Sequence, residues 1–321
     1  EDPDEFVAQV KDHDKKIFQL FGKHPVVFRN TELIYDDDIS AMVQNMGFKG
    51  VITEGAKHIL GWKSPNYVYS SPVAPKLKLL LKNSKLSDDI SFRFSNPDWA
   101  SYPLTADKYI DWIASLPEEE QLVNLFMNYE TFGEMQPRES GIFEFMKALP
   151  RFAVEKGIEF FTPSEVISKM KSVGEMPVMH PISWADEARD TSAWLGNTLQ
   201  QEAVKKLYSI GERVRLCQDR RIKQDWYYLQ ASDHFFYMST KHNEDGSVHS
   251  HYSPYDSPYT AFTNYMNVLS DFMIRVQEQY PESIDNEELN ALLLTIRNQS
   301  NEISQLNREV EMLRNNIVKD T

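Results

Sequence analysis

The sequence predicts an α/β fold in which repeated strand–helix units build a parallel sheet of the barrel type. A helical region and a C-terminal coiled-coil helix follow. Three observations carry this reading. Short apolar runs alternate with helical segments of about ten residues between 20 and 163. Several of those runs end in a carboxylate or carboxamide, the way a barrel assembles its active face. Residues 286–319 repeat an apolar residue every seven positions.

Taken in order, residues 5–21 mix apolar and charged positions at helical spacing and predict a surface helix. Val26-Val27-Phe28 is a short strand that delivers Arg29, Asn30, Thr31 and Glu32. A helix from Asp37 to Met46, closed by Gly47, leads to the strand Val51-Ile52, which delivers Thr53 and Glu54 before Gly55. Next come a strand in YVYSSP (67–72), a helix at 75–83, a strand in ISFRFS (90–95) with Asn96 and Asp98 beyond it, and a helix at 106–115. The chain is organised around QLVNLFMNYETFGEMQ (121–136). Its apolar half, Leu122–Met127, has the pattern of a buried parallel strand; Asn128, Glu130 and Glu134 then emerge, with Gly133 as a hinge. A helix at 141–156 and a strand in IEFFTP (158–163) close the barrel region, where Thr162-Pro163 opens another helix.

The expected domains are a barrel over 1–173, a helical region over 174–285 and a tail over 286–321. Residues 184–224 and 256–280 are the long helical segments of the second, with Trp184, Trp194 and Leu195 as apolar anchors and an aromatic, loop-rich piece (226–255) between them. In the tail, Leu289, Ile296, Ile303, Val310 and Ile317 fall at one heptad position and Leu292, Gln299, Leu306 and Leu313 at the other. That pattern favours a parallel homodimer through 286–319; a single amphipathic helix docked on its own domain is the alternative.

With 48 acidic and 34 basic side chains, the net charge of −14 repels nucleic acid and anionic membrane. The single cysteine, Cys217, rules out an internal disulfide and a cysteine-built zinc site, and fits a reducing, cytoplasmic compartment. There is no apolar run of membrane-spanning length and no signal-peptide pattern. The chain starts at Glu1 without an initiator Met, as expected of a fragment or a processed form. Glycine-rich nucleotide motifs and the GxSxG elbow are missing, and no cofactor or metal is called for.

Four strand-end clusters are candidate sites: Asn30 with Glu32, Glu54, Asn96 with Asp98, and Asn128 with Glu130 and Glu134. Each is also compatible with a helix N-cap or a solvated loop. Two such carboxylates converging on one pocket would suit glycosidic bond cleavage. His249 and His251 stand two apart near His234 and His242 but lack a third ligand at metal spacing, so a surface loop is expected. Asp233 and His234, set among Phe235, Phe236 and Tyr237, suit either a sugar subsite or a satisfied core pair.

The segments FRNTELIY (28–35), GVITEGAKHILGWKSPNY (50–67), NLFMNYETFGE (124–134) and LQASDHFFYMSTK (229–241) together resemble the α-amylase and α-amylase-like group of glycoside hydrolase family 57. The resemblance implies an incomplete (β/α)7-type barrel followed by a helical region, acting on α-1,4-glucans with retention. It implies Glu54 as nucleophile, Asn30 and Glu32 as a substrate-pocket motif, and Asp233 with His234 lining the site. The family's acid/base is an aspartate immediately before Tyr-Glu-Thr-Phe-Gly, where this chain has Asn128, and Met135 stands where a histidine is usual. The family's opening His-Gln-Pro motif does not occur, which implies that the first strands are absent.

A carboxamide cannot protonate a leaving group or deprotonate water. The expectation is therefore a pocket that binds α-1,4-glucan or maltooligosaccharide and hydrolyses it weakly or not at all, with Trp62, Trp184 and Phe236 as stacking surfaces. Two rivals stand beside it: an active hydrolase or transferase with Glu130 as substitute acid, and a non-catalytic protein whose working part is the coiled coil.

Overall fold

The computed structural model describes residues 2–241 and 253–279 and, further on, 292, 295, 296, 298–300, 302–304, 306, 307 and 310. The chain divides into two compact units, one of residues 1–201 with 239–253 and one of 202–238 with 254–321. Residues 174–201, grouped with the helical region on sequence grounds, fall in the first unit.

The first unit is built on a four-stranded sheet of β1 (Val27–Arg29), β2 (Gly50–Glu54), β3 (Val68–Ser70) and β4 (Lys78–Lys82), in the order β1-β2-β4-β3. The first three in that order are parallel, and β3 runs antiparallel to β4. Both faces are covered. Val51, Leu79 and Leu81 pack into one core with Tyr35 and Val43, whereas Leu80 joins another with Val68, Val166 and Ile167. Each fully buried Leu contributes about 2 kcal/mol of transfer free energy.

Helices cover the sheet. α1 (Pro3–Phe21) starts at Asp2, whose side chain accepts from the Glu5 N–H at 3.1 Å, and it lays Phe6 and Val10 against the first core. α2 (Asp37–Asn45) is capped by Asp36, which accepts from the Ile39 N–H at 2.8 Å. α3 (Lys57–Leu60) follows β2, and α4 (Ser84–Ser91) follows β4 after the cap Asn83. α5 (Ala106–Ala114) and α6 (Ile142–Glu155) share a separate core in which the Tyr109 and Phe145 rings meet edge to face at 5.7 Å. α7 (Pro163–Lys169) opens with a capping box between Thr162 and Glu165, and α8 (Ser192–Leu195) is a single turn.

The sheet departs from the sequence expectation in five places. The helix expected at 75–83 is strand β4, because its leucines are buried on both sheet faces and no alternation is needed. β3 is antiparallel, so the sheet is mixed. Residues 90–95 end α4 and enter a turn, and 158–161 form no strand. Leu122–Met127 runs beside β4 without joining the ladder: the Asn83 N–H donates to the Asn124 carbonyl at 2.9 Å, but the Leu81 carbonyl is taken by the Asn124 side chain at 3.0 Å. The described residues thus form a mixed α/β fold with a small sheet, without a closed barrel.

α9 (Thr198–Tyr208) crosses the boundary between the units. The second unit holds α10 (Gly211–Leu216), α11 (Arg220–Leu229), α12 (Ser232–Phe236) and α13 (Pro258–Gln279). Trp226 stacks on Phe272 at 6.4 Å, the Tyr265 hydroxyl donates to the Leu229 carbonyl at 2.9 Å, and Arg275 pairs with Asp225 at 2.7 Å. Of the heptad residues, Leu292, Ile296, Gln299, Ile303, Leu306 and Val310 are helical and exposed; Leu289, Leu313 and Ile317 lie outside the described residues.

Candidate active site

Glu54 ends β2 in register with Lys82 at the end of β4, so the two side chains leave the same face of the sheet. The strands approach closely there: a Cβ on Gly55 would come within 2.4 Å of the Lys82 carbonyl oxygen, which only glycine avoids. Ser84, in the first turn of α4, donates its hydroxyl to Glu54 Oε1. Lys82 Nζ lies 3.8 Å from Glu54 Oε2 and 3.1 Å from Asp88 Oδ1. Arg189 repeats the bridge, with Nη1 3.8 Å from Glu54 Oε2 and Nη2 3.0 Å from Asp88 Oδ2.

The Glu54 side chain is 0% exposed. Burial raises its pKa above the usual carboxylate range, opposed by Lys82, Arg189 and the Ser84 hydroxyl. Among the described residues Oε2 accepts no hydrogen bond and only the two cations compensate it. Desolvating one such charge costs several kcal/mol, which a buried cation and good geometry offset only in part.

Beyond β1, Asn30 satisfies its own turn, with Oδ1 accepting from the Thr31 N–H at 3.0 Å and Nδ2 donating to the Ile34 carbonyl at 3.1 Å. Glu32 and Leu33 sit at φ 52 and 53, an unfavourable left-handed conformation for both. Trp184 clamps this turn: its Nε1 donates to Glu32 Oε2 at 2.6 Å and its backbone N–H to the Glu32 carbonyl at 3.0 Å. Arg29 lies 5.1 Å and Lys82 5.3 Å from the centroid of the Trp184 ring, and Arg189 donates to the Trp184 carbonyl. Glu32, Trp184, Lys82, Arg189, Asp88 and Glu54 therefore form one connected cluster.

Asn128 and Glu130 are held differently. Both are exposed at a short 3-10 turn, and Tyr129 between them is 94% exposed. The turn is tied to α4 by the Phe126 N–H donating to Ser87 Oγ at 3.2 Å and by Gln136 Nε2 donating to the Ser91 carbonyl at 2.8 Å. One helix thus holds Glu54 through Ser84 and the approach to Asn128 through Ser87. Trp62 is 93% exposed and belongs to none of these contacts.

The family model for glycosyl hydrolase family 57 matches residues 1–179. The chain belongs to that family. A Methanocaldococcus jannaschii protein named "Putative alpha-amylase" is 44% identical over 294 residues, which is 88% of this chain and 62% of that protein. The family 57-type branching enzyme of Pyrococcus horikoshii shares the fold with a TM-score of 0.62 at 14% identity, over 89% of this chain and 64% of that one. An alpha-amylase of Thermotoga maritima follows at a TM-score of 0.51 and 14% identity, over 90% of this chain and 66% of that one. The chain spans less than two thirds of the length of each of these relatives.

In this family 57 chain the remaining candidates, Asp233, His234 and Phe236, lie on or at α12 in the second unit. His234 Nε2 contacts the Tyr228 carbonyl at 3.0 Å, and Asp233 is exposed. His242, His249 and His251 lie outside the described residues. Among the described residues no group of three or more His, Cys, Asp or Glu is placed to hold a metal ion, and no helix is long and apolar enough to cross a membrane. Sequence reasoning missed Lys82, Ser84, Asp88 and Arg189. Their contacts to Glu54 span 28 to 135 positions, a separation no local pattern reports. The Asn83-Ser84 pair after the leucine run was the one available signal, as a helix start.

Proposed function

We propose that this family 57 chain binds α-1,4-glucan or maltooligosaccharide beside Glu54, and that it hydrolyses the glycosidic bond weakly or not at all. The observation that carries this reading is the contrast at the two catalytic positions. Glu54 is a buried carboxylate whose pKa burial raises, and Lys82 and Arg189 both oppose that rise. The acid/base position holds Asn128, whose carboxamide has no proton to give. Losing general acid catalysis costs about 10²–10⁴ in rate.

Glu32 and Asn30 border the same pocket in this reading, while for Asp233, His234 and Phe236, in the second unit, a sugar-binding role rests on the family resemblance. Because the Glu54 side chain has no exposed surface, sugar reaches it in this reading only after the side chains that cover it, Arg189 among them, shift. The small sheet is read as part of the family's incomplete (β/α)7-type barrel, and a cytoplasmic location fits the single cysteine.

Calorimetry with maltoheptaose tests the binding half. Saturable heat at millimolar sugar or below is expected, and a flat titration would end the proposal. If the chain does release reducing ends, Glu130→Gln separates the readings: loss of that release identifies Glu130 as a substitute acid.

A second reading, compatible with the first, rests on the exposed Leu292, Ile296, Ile303, Leu306 and Val310. Their heptad spacing fits a homodimer through 286–319. Ile303→Asp is expected to convert the dimer to a monomer in analytical ultracentrifugation.

A further inference from the structure

The first unit also holds a cleft of about 950 Å³ outside the Glu54 cluster. Its walls are the loop after β2, the first turn of α4, the segment 99–101 and α5. None of Glu54, Lys82, Asp88, Trp184 or Arg189 lines it; Gly55 and Ser84 are its nearest approach to the active-site cluster. We propose that this cleft is a binding site for a phosphorylated sugar.

Three features support that chemistry. Two half-buried indoles, Trp99 and Trp112, meet edge to face at 6.1 Å on one wall, the kind of aromatic surface on which a pyranose ring packs. A second group of lining residues is preorganised: Glu120 accepts from Ser64 Oγ at 2.6 Å and from Asn66 Nδ2 at 2.5 Å, and Asn83 Nδ2 donates to Asn66 Oδ1 at 3.0 Å. The charge balance then selects an anion. Of the lining carboxylates, Asp89 is taken by Arg93 at 2.7 Å and Glu120 by the loop. Lys57 and Lys85 line the cleft as exposed residues, and neither ammonium makes an ion pair or hydrogen bond among the described residues. This is a local cationic rim on a chain whose net charge is −14.

A sugar phosphate would lay its ring on the tryptophans and its phosphate between Lys57 and Lys85, where point charges suffice for recognition. The site is independent of the glucan reading, since it shares no residue with the Glu54 cluster apart from the neighbouring Ser84.

The test is calorimetric titration of the chain with glucose 6-phosphate, glucose, maltotriose and inorganic phosphate. Glucose 6-phosphate is expected to bind about tenfold or more tighter than either glucose or phosphate. The Lys57→Ala/Lys85→Ala variant, altered only at exposed positions, is expected to lose about that factor, and Trp99→Ala to weaken glucose and glucose 6-phosphate alike. Equal affinity for phosphate and glucose 6-phosphate would reduce the cleft to a bare anion site and overturn the proposal. So would unchanged affinity in the double lysine variant, tighter binding of maltotriose than of glucose 6-phosphate, or no saturable binding of any of the four.

Discussion

A retaining glycosidase needs a nucleophile and an acid/base, and the two residues proposed for those positions, Glu54 and Asn128, are held in opposite ways. Around Glu54 the side chains are buried and interlocked, with Lys82 and Arg189 each bridging Glu54 to Asp88. At Asn128 the chain is open: Asn128, Tyr129 and Glu130 are exposed, and the anchors to α4 are the Phe126 N–H before them and the Thr131 and Gln136 side chains after them. The difference teaches where change is tolerated. A buried carboxylate cannot be altered without stranding its cations, whereas an exposed position accepts Asp-to-Asn chemistry at little cost to the fold.

The largest expected effect comes from breaking the buried side. Lys82→Met leaves Glu54 and Asp88 with Arg189 as their only shared cation among the described residues and is expected to cost about 3 kcal/mol or more in denaturant unfolding. A loss of less than about 1 kcal/mol would mean that the cluster is loosely held and the contrast false.

The pH dependence follows in size. Burial raises the Glu54 pKa in the folded chain, so between its ordinary value and the raised one the folded state binds more protons than the unfolded state. Stability therefore falls as pH rises through that window, and Glu54→Gln is expected to flatten the slope. Asp36 and Asp37, also raised mainly by burial, leave a residual slope of the same sign. A slope unchanged in Glu54→Gln would locate the effect elsewhere.

The smallest effect belongs to the open side. Tyr129→Ala and Glu130→Gln are each expected to move unfolding by no more than about 0.5 kcal/mol. A larger loss in either would show that the exposed side chains at 129 and 130 help to hold the turn.

Much of this was legible in the residues, and the failures have physical causes. α2, α5 and α6 followed from amphipathic spacing, and β2 from an apolar pair that delivers Glu54 before Gly55. β4 was misread as helix because Leu favours helices and a strand buried on both faces shows no alternation. Leu122–Met127 has a strand's composition but lacks a strand's ladder, because the Asn124 side chain takes the Leu81 carbonyl. Glu32 and Trp184 were both named as site residues, but their direct hydrogen bond was not visible across 152 positions. The cations at Glu54 were missed altogether, since nothing in Lys82 or Arg189 taken singly distinguishes them from surface charge.

The central claim, an intact nucleophile deprived of its acid, is tested most directly by reducing-end release from maltoheptaose by the chain and by Asn128→Asp. The account predicts that Asn128→Asp turns over about 10²–10⁴ times faster than the chain. Equal turnover by the two would contradict it, because the proton would then come from a group other than residue 128.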